Sequence, residues 1–165
     1  MEKKKNTHTK YTQTQVRAAA ATCLSNLHLD AWKLLPKTFV DMLCTKMIRL
    51  ADKDTTTNVR SSACRWIGVT MLIPSSNEHR LETLLAAASE SQLNVRVAAV
   101  GALANYSSTP QPRRRDLELM SRIFFKSIDD HDRVSANAVR GLGCVNCPLS
   151  KFDESPRLLH SDLEL

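Results

Sequence analysis

Glycine and aromatic residues are scarce in this sequence of 165 residues: it has 4 glycines, and Phe, Trp and Tyr together make up 5%. A shortage of glycine disfavours a turn-rich β protein. Because so few aromatic side chains are present, the core must be built from Leu, Ile, Val, Met and Ala. No run approaches the roughly 20 consecutive apolar residues that a membrane-spanning helix needs.

A secretory signal is also missing from the sequence. The N-terminus has a basic start, but no apolar stretch follows it as one does in a signal peptide. The 5 cysteines are therefore expected to be reduced thiols. We expect a cytoplasmic or nuclear protein.

Motifs of catalysis and of cofactor binding are equally scarce. Cys144-Val-Asn-Cys147 is a lone CxxC motif, whereas a zinc site needs four ligands. Gly141-Leu-Gly143 lacks the third glycine and the preceding strand of a dinucleotide-binding motif. His131 lies in an acidic turn that is more simply interpreted as a helix terminus. We expect no enzyme, no metal and no cofactor.

Positive charge exceeds negative charge, with a formal net charge of +6. Four lysines lie close to the N-terminus, at Lys3, Lys4, Lys5 and Lys10, and Arg113-Arg114-Arg115 is a second basic cluster. A nucleic-acid binder needs a basic stripe on a folded face, preferably with aromatic residues for base stacking. We interpret the arginine cluster as a solvated loop and keep nucleic-acid binding as the weaker alternative.

One pattern recurs about every 40 residues, which is the period of two-helix repeats. Each copy has Val, then Ala four residues later, then Leu or Ile eight residues later, so the three lie on one helix face. The copies are Val16–Leu24, Val59–Ile67, Val95–Leu103 and Val134–Leu142. Small residues are expected where helices approach closely, at Ala20, Ala63, Ala99 and Ala138 and at Ser25, Gly68, Ala104 and Gly143.

Three further helices are predicted between these copies. Their apolar residues fall at helical spacing around Val40, Leu84 and Met120, and polar residues occupy the other side. The sequence therefore predicts an all-α protein of about seven helices: a lone helix near 14–27, then three pairs. Residues 14–147 form the helical domain, 1–13 are expected to be a disordered basic tail, and 148–165 a loosely ordered or disordered tail.

The recurring Val-Arg-x-x-Ala-x-x-x-Leu-Gly pattern resembles the consensus of HEAT repeats, which belong to the armadillo-type families. His131–Gly143 is similar to part of a much longer member of that family, so the chain is expected to be a fragment or a truncated form. The resemblance implies a right-handed α-solenoid. It also implies a ladder in which the Arg after each Val pairs with an acidic turn residue.

The residues that match this ladder are Arg17, Arg60 and Arg96, with Asp52 or Asp54, Glu90, and Asp130 or Asp132 as acidic partners. The fourth copy has Ser135 at the Arg position, so the ladder is expected to be incomplete.

The function that this resemblance implies is that of a protein-protein interaction scaffold, which binds another protein or an extended peptide along a concave surface. The candidate binding residues are Arg65, Asn137 and Arg140. Trp32 and Trp66 could be exposed anchors, but packing is the favoured interpretation. The alternative is a structural spacer within a longer solenoid. The ends lack polar caps, so self-association through them is also expected.

Overall fold

The computed structural model describes residues 3–73, 79–110 and 112–145, with side chains from residue 13 onward. These residues form helices and connecting turns without a strand, which confirms the all-α prediction. No helix among them is long and apolar enough to cross a bilayer. The helices are α1 (Lys3–Ser25), α2 (Leu29–Lys33), α3 (Lys37–Lys53), α4 (Thr57–Thr70), α5 (His79–Ala87), α6 (Leu93–Ser107), α7 (Arg114–Lys126) and α8 (Asp132–Val145).

Two boundaries differ from the predictions. The first connection contains the short helix α2, so the described part has eight helices rather than seven. Helix α1 begins at Lys3, where a disordered tail was expected to extend to residue 13. This tail contains no Gly or Pro, and adding residues to an existing helix is far easier than nucleating one. The expected tail over 148–165 lies outside the described residues.

The helices pack in two rows. In the first row, α1 contacts α4, α4 contacts α6, and α6 contacts α8. In the second row, α3 contacts α5 and α5 contacts α7. Each helix of the second row also packs on the helix that follows it, α3 on α4, α5 on α6 and α7 on α8. We call α1, α4, α6 and α8 the inner row and α3, α5 and α7 the outer row.

The Val-Ala-Leu stripe is buried in most of the inner row. Every stripe residue is buried in α4 and in α6, and Val134 and Ala138 are buried in α8. The stripe prediction is wrong for α1, where Val16 is 61% exposed and Ala20 is also exposed. In the described part, no outer-row helix precedes α1 to cover them. Among the residues of α1 whose side chains are described, Ala21 is the buried one.

Glycine allows two of the close helix contacts. A Cβ atom built on Gly68 would lie 2.5 Å from the Cβ of Ala102, so α4 and α6 touch at this point. Gly141 faces the ring of Phe124 in the same way, at the contact of α8 with α7. The prediction for Gly143 is wrong, because nothing lies within 4 Å of a Cβ built there. Gly143 lies on a face of α8 that no described helix covers.

The two tryptophans pack against each other. Trp32 of α2 and Trp66 of α4 have ring centroids 5.4 Å apart and planes at 86°, an edge-to-face arrangement. Both side chains are buried, Trp32 at 1% exposure and Trp66 at 0%. The packing interpretation is therefore confirmed for both, and neither is an exposed anchor.

Candidate partner-binding surface

Three ion pairs each link an inner-row helix to the turn that precedes the next inner-row helix. Arg17 Nε lies 3.1 Å from Asp54 Oδ2, and Arg60 Nη2 lies 3.0 Å from Glu90 Oε2. Arg96 binds Asp130 with two hydrogen bonds, Nε to Oδ2 at 2.7 Å and Nη2 to Oδ1 at 2.8 Å.

Each matched arginine therefore has an acidic turn partner, as the resemblance implied. Of the alternatives left open by the sequence, the structure selects Asp54 and Asp130 over Asp52 and Asp132. Ser135 takes no part in such a pair within the described residues, so the series ends at Asp130.

Two of these arginines, Arg60 and Arg96, also hold the turns that precede their own helices. Arg60 Nη1 donates to the carbonyl oxygen of Asp54 at 2.8 Å. Arg96 Nη1 donates to the carbonyl oxygens of Glu90 and Ser91. Each of these two guanidinium groups therefore joins two successive turns, and its charge is used inside the fold. The Arg96 hydrogen bonds hold the pKa of the Asp130 carboxyl below its ordinary value.

The first candidate residue, Arg65, lies on an open groove. Its side chain is exposed, and it makes no ion pair or hydrogen bond among the described residues. The groove crosses from α1 over α4 to the start of α6. Its lining is otherwise small or neutral and includes Thr22, Asn58, Ser62 and Asn94. Thr22 and Ser62 join its two sides through a hydroxyl hydrogen bond of 2.9 Å.

The other two candidates, Asn137 and Arg140, lie together on α8. Asn137 Nδ2 donates to the carbonyl oxygen of Val97 at 3.3 Å. Arg140 Nη2 donates to Asn137 Oδ1 at 3.1 Å and reaches the carbonyl oxygen of Gly101 at 3.5 Å. Asn137 therefore positions Arg140 and ties α8 to α6, a role that the sequence did not indicate.

Together these residues define one surface, which we call the inner face: Thr22, Asn58, Arg65, Asn94, Val97, Gly101, Asn137 and Arg140. Asn94, Val97 and Gly101 lie at i, i+3 and i+7 on α6 and so share one side of that helix. The contacts of α8 with Val97 and Gly101 thus continue the groove that Arg65 lines.

Charge is unevenly divided between the two rows. In the described part of the inner row, one residue has a carboxylate side chain: Asp132, the first residue of α8. The other acidic residues within the described ranges lie in α2, the outer row and the turns. The inner face therefore carries Arg65 and Arg140 without an acidic side chain among its members.

The Arg113–Arg115 cluster lies elsewhere and does not form a basic stripe. Arg114 Nε is 3.6 Å from Glu118 Oε1 on the same helix. Arg113 and Arg115 line a cavity together with Asp116 and Glu82. Positive charge is thus interleaved with negative charge at this site.

A buried arginine escaped the sequence reasoning. Arg80 of α5 is 5% exposed and donates to the carbonyl oxygens of Thr70 and Ile73, where α4 ends. Burial lowers the pKa of its guanidinium from the ordinary value. Cations stabilise helix C-termini because unpaired carbonyl groups gather there. No sequence pattern distinguishes Arg80 from an exposed arginine, so nothing could have identified it beforehand.

The cysteines do not form a reactive or metal-binding group in the described part. No cluster of three potential ligands is found there. Cys44 and Cys64 are buried, and burial raises the pKa of the Cys64 thiol to about 12. Cys23 is exposed and Cys144 is half-buried. The second cysteine of the CxxC motif, Cys147, lies outside the described residues.

Comparisons with protein-family models, with curated proteins and with solved structures found no match. The resemblance to HEAT repeats therefore stays a prediction that rests on the sequence pattern.

Proposed function

We propose that this chain is a segment of a right-handed, HEAT-type α-solenoid, that it binds another protein or an extended peptide, and that it is not an enzyme and uses no cofactor. The two-row packing and the recurring Arg-to-turn ion pairs support the repeat assignment. In such a stack each repeat contacts only its neighbours, and the stacked helices present a long surface.

The observation that carries the binding proposal is Arg65. Its guanidinium is exposed beside a groove and has no partner within the described part, whereas Arg60 on the same helix is paired with Glu90. An unpaired arginine beside small neutral residues is well placed to bind a carboxylate or a carbonyl of a partner. The inner face is therefore the proposed binding surface.

Site-specific photo-cross-linking tests this proposal. A photoreactive phenylalanine analogue replaces Ala19, an exposed residue that lines the same groove and leaves Arg65 intact, or the exposed Ala86 on α5 as a matched control. We expect discrete cross-linked adducts from cell extract with the probe at position 19 and none with the probe at position 86. Equal adducts from both positions, or none from position 19, would contradict the proposal.

A structural spacer is the second candidate function, and the exposed end residues favour it. Val16 of α1 is 61% exposed and Val139 of α8 is 57% exposed. Cys64 in α4 and Val100 in α6 occupy the position of Val139 in the repeat, and both are fully buried. Exposed apolar residues at both ends would be covered if this segment lay between further repeats. If the chain is such a spacer, no partner should bind the inner face.

A further inference from the structure

We propose that the partner of the inner face is an extended acidic peptide. Two of its carboxylates bind Arg65 and Arg140, which lie two repeats apart in the protein. This inference rests on the proposed function, because it names the chemistry of the partner for the same surface. Four observations support it: the charge of the face, the positioning of Arg140, the exposed amide groups and the lack of exposed aromatic rings among the inner-row residues whose side chains are described.

The charge of the face favours a negatively charged partner. The turn acids Asp54, Glu90 and Asp130 are each neutralised by an inner-row arginine. They lie at the turns and leave no carboxylate beside Arg65 or Arg140 on the inner face. A surface with positive charge and no compensating acid attracts carboxylates and repels basic segments.

Arg140 is held in place before any partner binds. Its Nη2 atom contacts Asn137 Oδ1 and the carbonyl oxygen of Gly101. Nε and Nη1 make no hydrogen bond within the described residues. A guanidinium whose direction is already fixed loses less side-chain entropy on binding a carboxylate. Gly101 leaves room for this arrangement, since a Cβ there would lie 3.2 Å from Asn137 Nδ2, closer than an ordinary contact.

Exposed amide side chains flank the arginine on α4 and α6. Asn58 and Asn94 are exposed and line the same groove as Arg65. An asparagine side chain can both donate and accept hydrogen bonds, which matches the alternating N–H and C=O groups of an extended backbone. The groove thus offers arginines for acidic side chains and amides for the main chain.

Nucleic acid fits this face less well than a peptide does. Single-stranded nucleic acid binds by stacking its bases on exposed aromatic rings. The inner-row aromatic residues in the part with described side chains are Trp66 and Tyr106, and both are buried. Affinity for a duplex comes mainly from the phosphates that Lys and Arg neutralise, and the inner face has two arginines.

The groove length sets the size of the peptide. Neighbouring packed helices lie about 10 Å apart, so four inner-row helices span about 30 Å. An extended chain covers this distance with about 9 residues, at about 3.3 Å per residue. A short peptide can therefore reach both arginines at once.

Fluorescence anisotropy with the full chain tests the inference. The probe is a fluorescein-labelled peptide of about 12 residues that alternates Glu with Ser, a length chosen to exceed the groove. Two matched peptides replace Glu with Gln or with Lys, and an oligothymidylate of similar length represents nucleic acid. We expect the Glu peptide alone to bind, with an affinity that falls as ionic strength rises.

Variants locate the binding. R65A and R140A should each weaken binding of the Glu peptide about tenfold, which is the usual loss when a charge-assisted hydrogen bond is removed. R122A on α7 changes net charge by the same amount and should leave the affinity unchanged. Circular dichroism spectra that match the wild type show that the variants fold.

Three results would overturn the inference: no binding of the Glu peptide, an equal loss with R122A, or preferential binding of the oligothymidylate. Failure of the acidic partner can be told apart from failure of the proposed function. If the photo-probe at position 19 captures a protein while the Glu peptide does not bind, the surface is a binding site for a partner of another chemistry.

Discussion

Arg96 and Asp130 form a bidentate ion pair between α6 and the turn before α8, with N–O distances of 2.7 and 2.8 Å. The same guanidinium also binds two carbonyl oxygens of the turn before α6. One side chain therefore fixes the spacing of two successive turns. The acid is neutralised within the fold, which leaves the arginines of the inner face without competing carboxylates.

Substituting Asp130 should give a pH-dependent change in stability. Hydrogen bonds from Arg96 lower the pKa of Asp130 in the folded state, so its contribution is present above the unfolded-state value of about 4 and is lost as pH falls through the lowered folded-state pKa. D130N should lower the free energy of unfolding at pH 6 by about 1 kcal/mol. Urea denaturation across pH measures the difference.

The difference between D130N and the wild type should shrink as pH falls below about 4. D129N is the matched control, because Asp129 is exposed and has no ion pair within the described residues. A difference that stays constant down to acid pH would show that Asp130 does not act through its charge.

Two glycines of the inner row, Gly68 on α4 and Gly143 on α8, should respond in opposite directions to alanine. G68A should lower the free energy of unfolding by about 1–3 kcal/mol, because the added methyl group overlaps Ala102. G143A should raise it by about 0.5–1 kcal/mol, since nothing lies within 4 Å and alanine has the better helix propensity. Denaturation midpoints measure both. Stabilisation by G68A would contradict the close contact of α4 with α6.

Thiol labelling should separate the cysteines by burial. Cys23 is exposed, whereas burial raises the pKa of Cys44 and raises that of Cys64 to about 12. Only a thiolate reacts, so Cys23 should be alkylated first at mildly alkaline pH and the two buried thiols only after unfolding. Mass spectrometry with and without guanidinium chloride measures the order. Labelling of native Cys64 at the rate of Cys23 would contradict the burial of Cys64 in α4.

The uncovered end of the inner row should promote self-association. Val139 is 57% exposed on α8, and a Cβ at Gly143 would meet open space. Exposed apolar surface of this kind favours association. V139E should shift sedimentation toward the monomer, whereas A86E, on an exposed position of α5 within the outer row, should not. A wild-type chain that is monomeric at every concentration would contradict this prediction.

Sequence periodicity predicted the two rows but not their ends. Val95, Ala99 and Leu103 are buried as the stripe predicts, because α6 has neighbours on every side that the stripe faces. Val16 follows the same pattern and is exposed, since exposure depends on whether a neighbouring helix is present. The stripe pattern identifies a helix face that can be buried. It does not indicate which helix covers that face. Helix α2 was missed because its 5 residues are too few to show a period.

The site residues could be predicted only in part. Arg65 and Arg140 are exposed as polar residues of inner-row helices should be. The hydrogen bonds of Asn137 to Val97 and to Arg140 depend on how closely α6 and α8 approach, which the sequence does not encode locally. The burial of Arg80 depends on the position of the end of α4 in the same way.

The central claim is that two inner-face arginines without a carboxylate partner among the described residues, Arg65 and Arg140, select the peptide that binds. A charge swap tests this claim most directly. In R65E/R140E both arginines become glutamates, while Arg96 and its pair with Asp130 are left unchanged. The fluorescein-labelled Glu and Lys peptides are titrated against the wild type and this variant. We predict that the wild type binds the Glu peptide and that the variant binds the Lys peptide instead. Unchanged preference in the variant would contradict the claim.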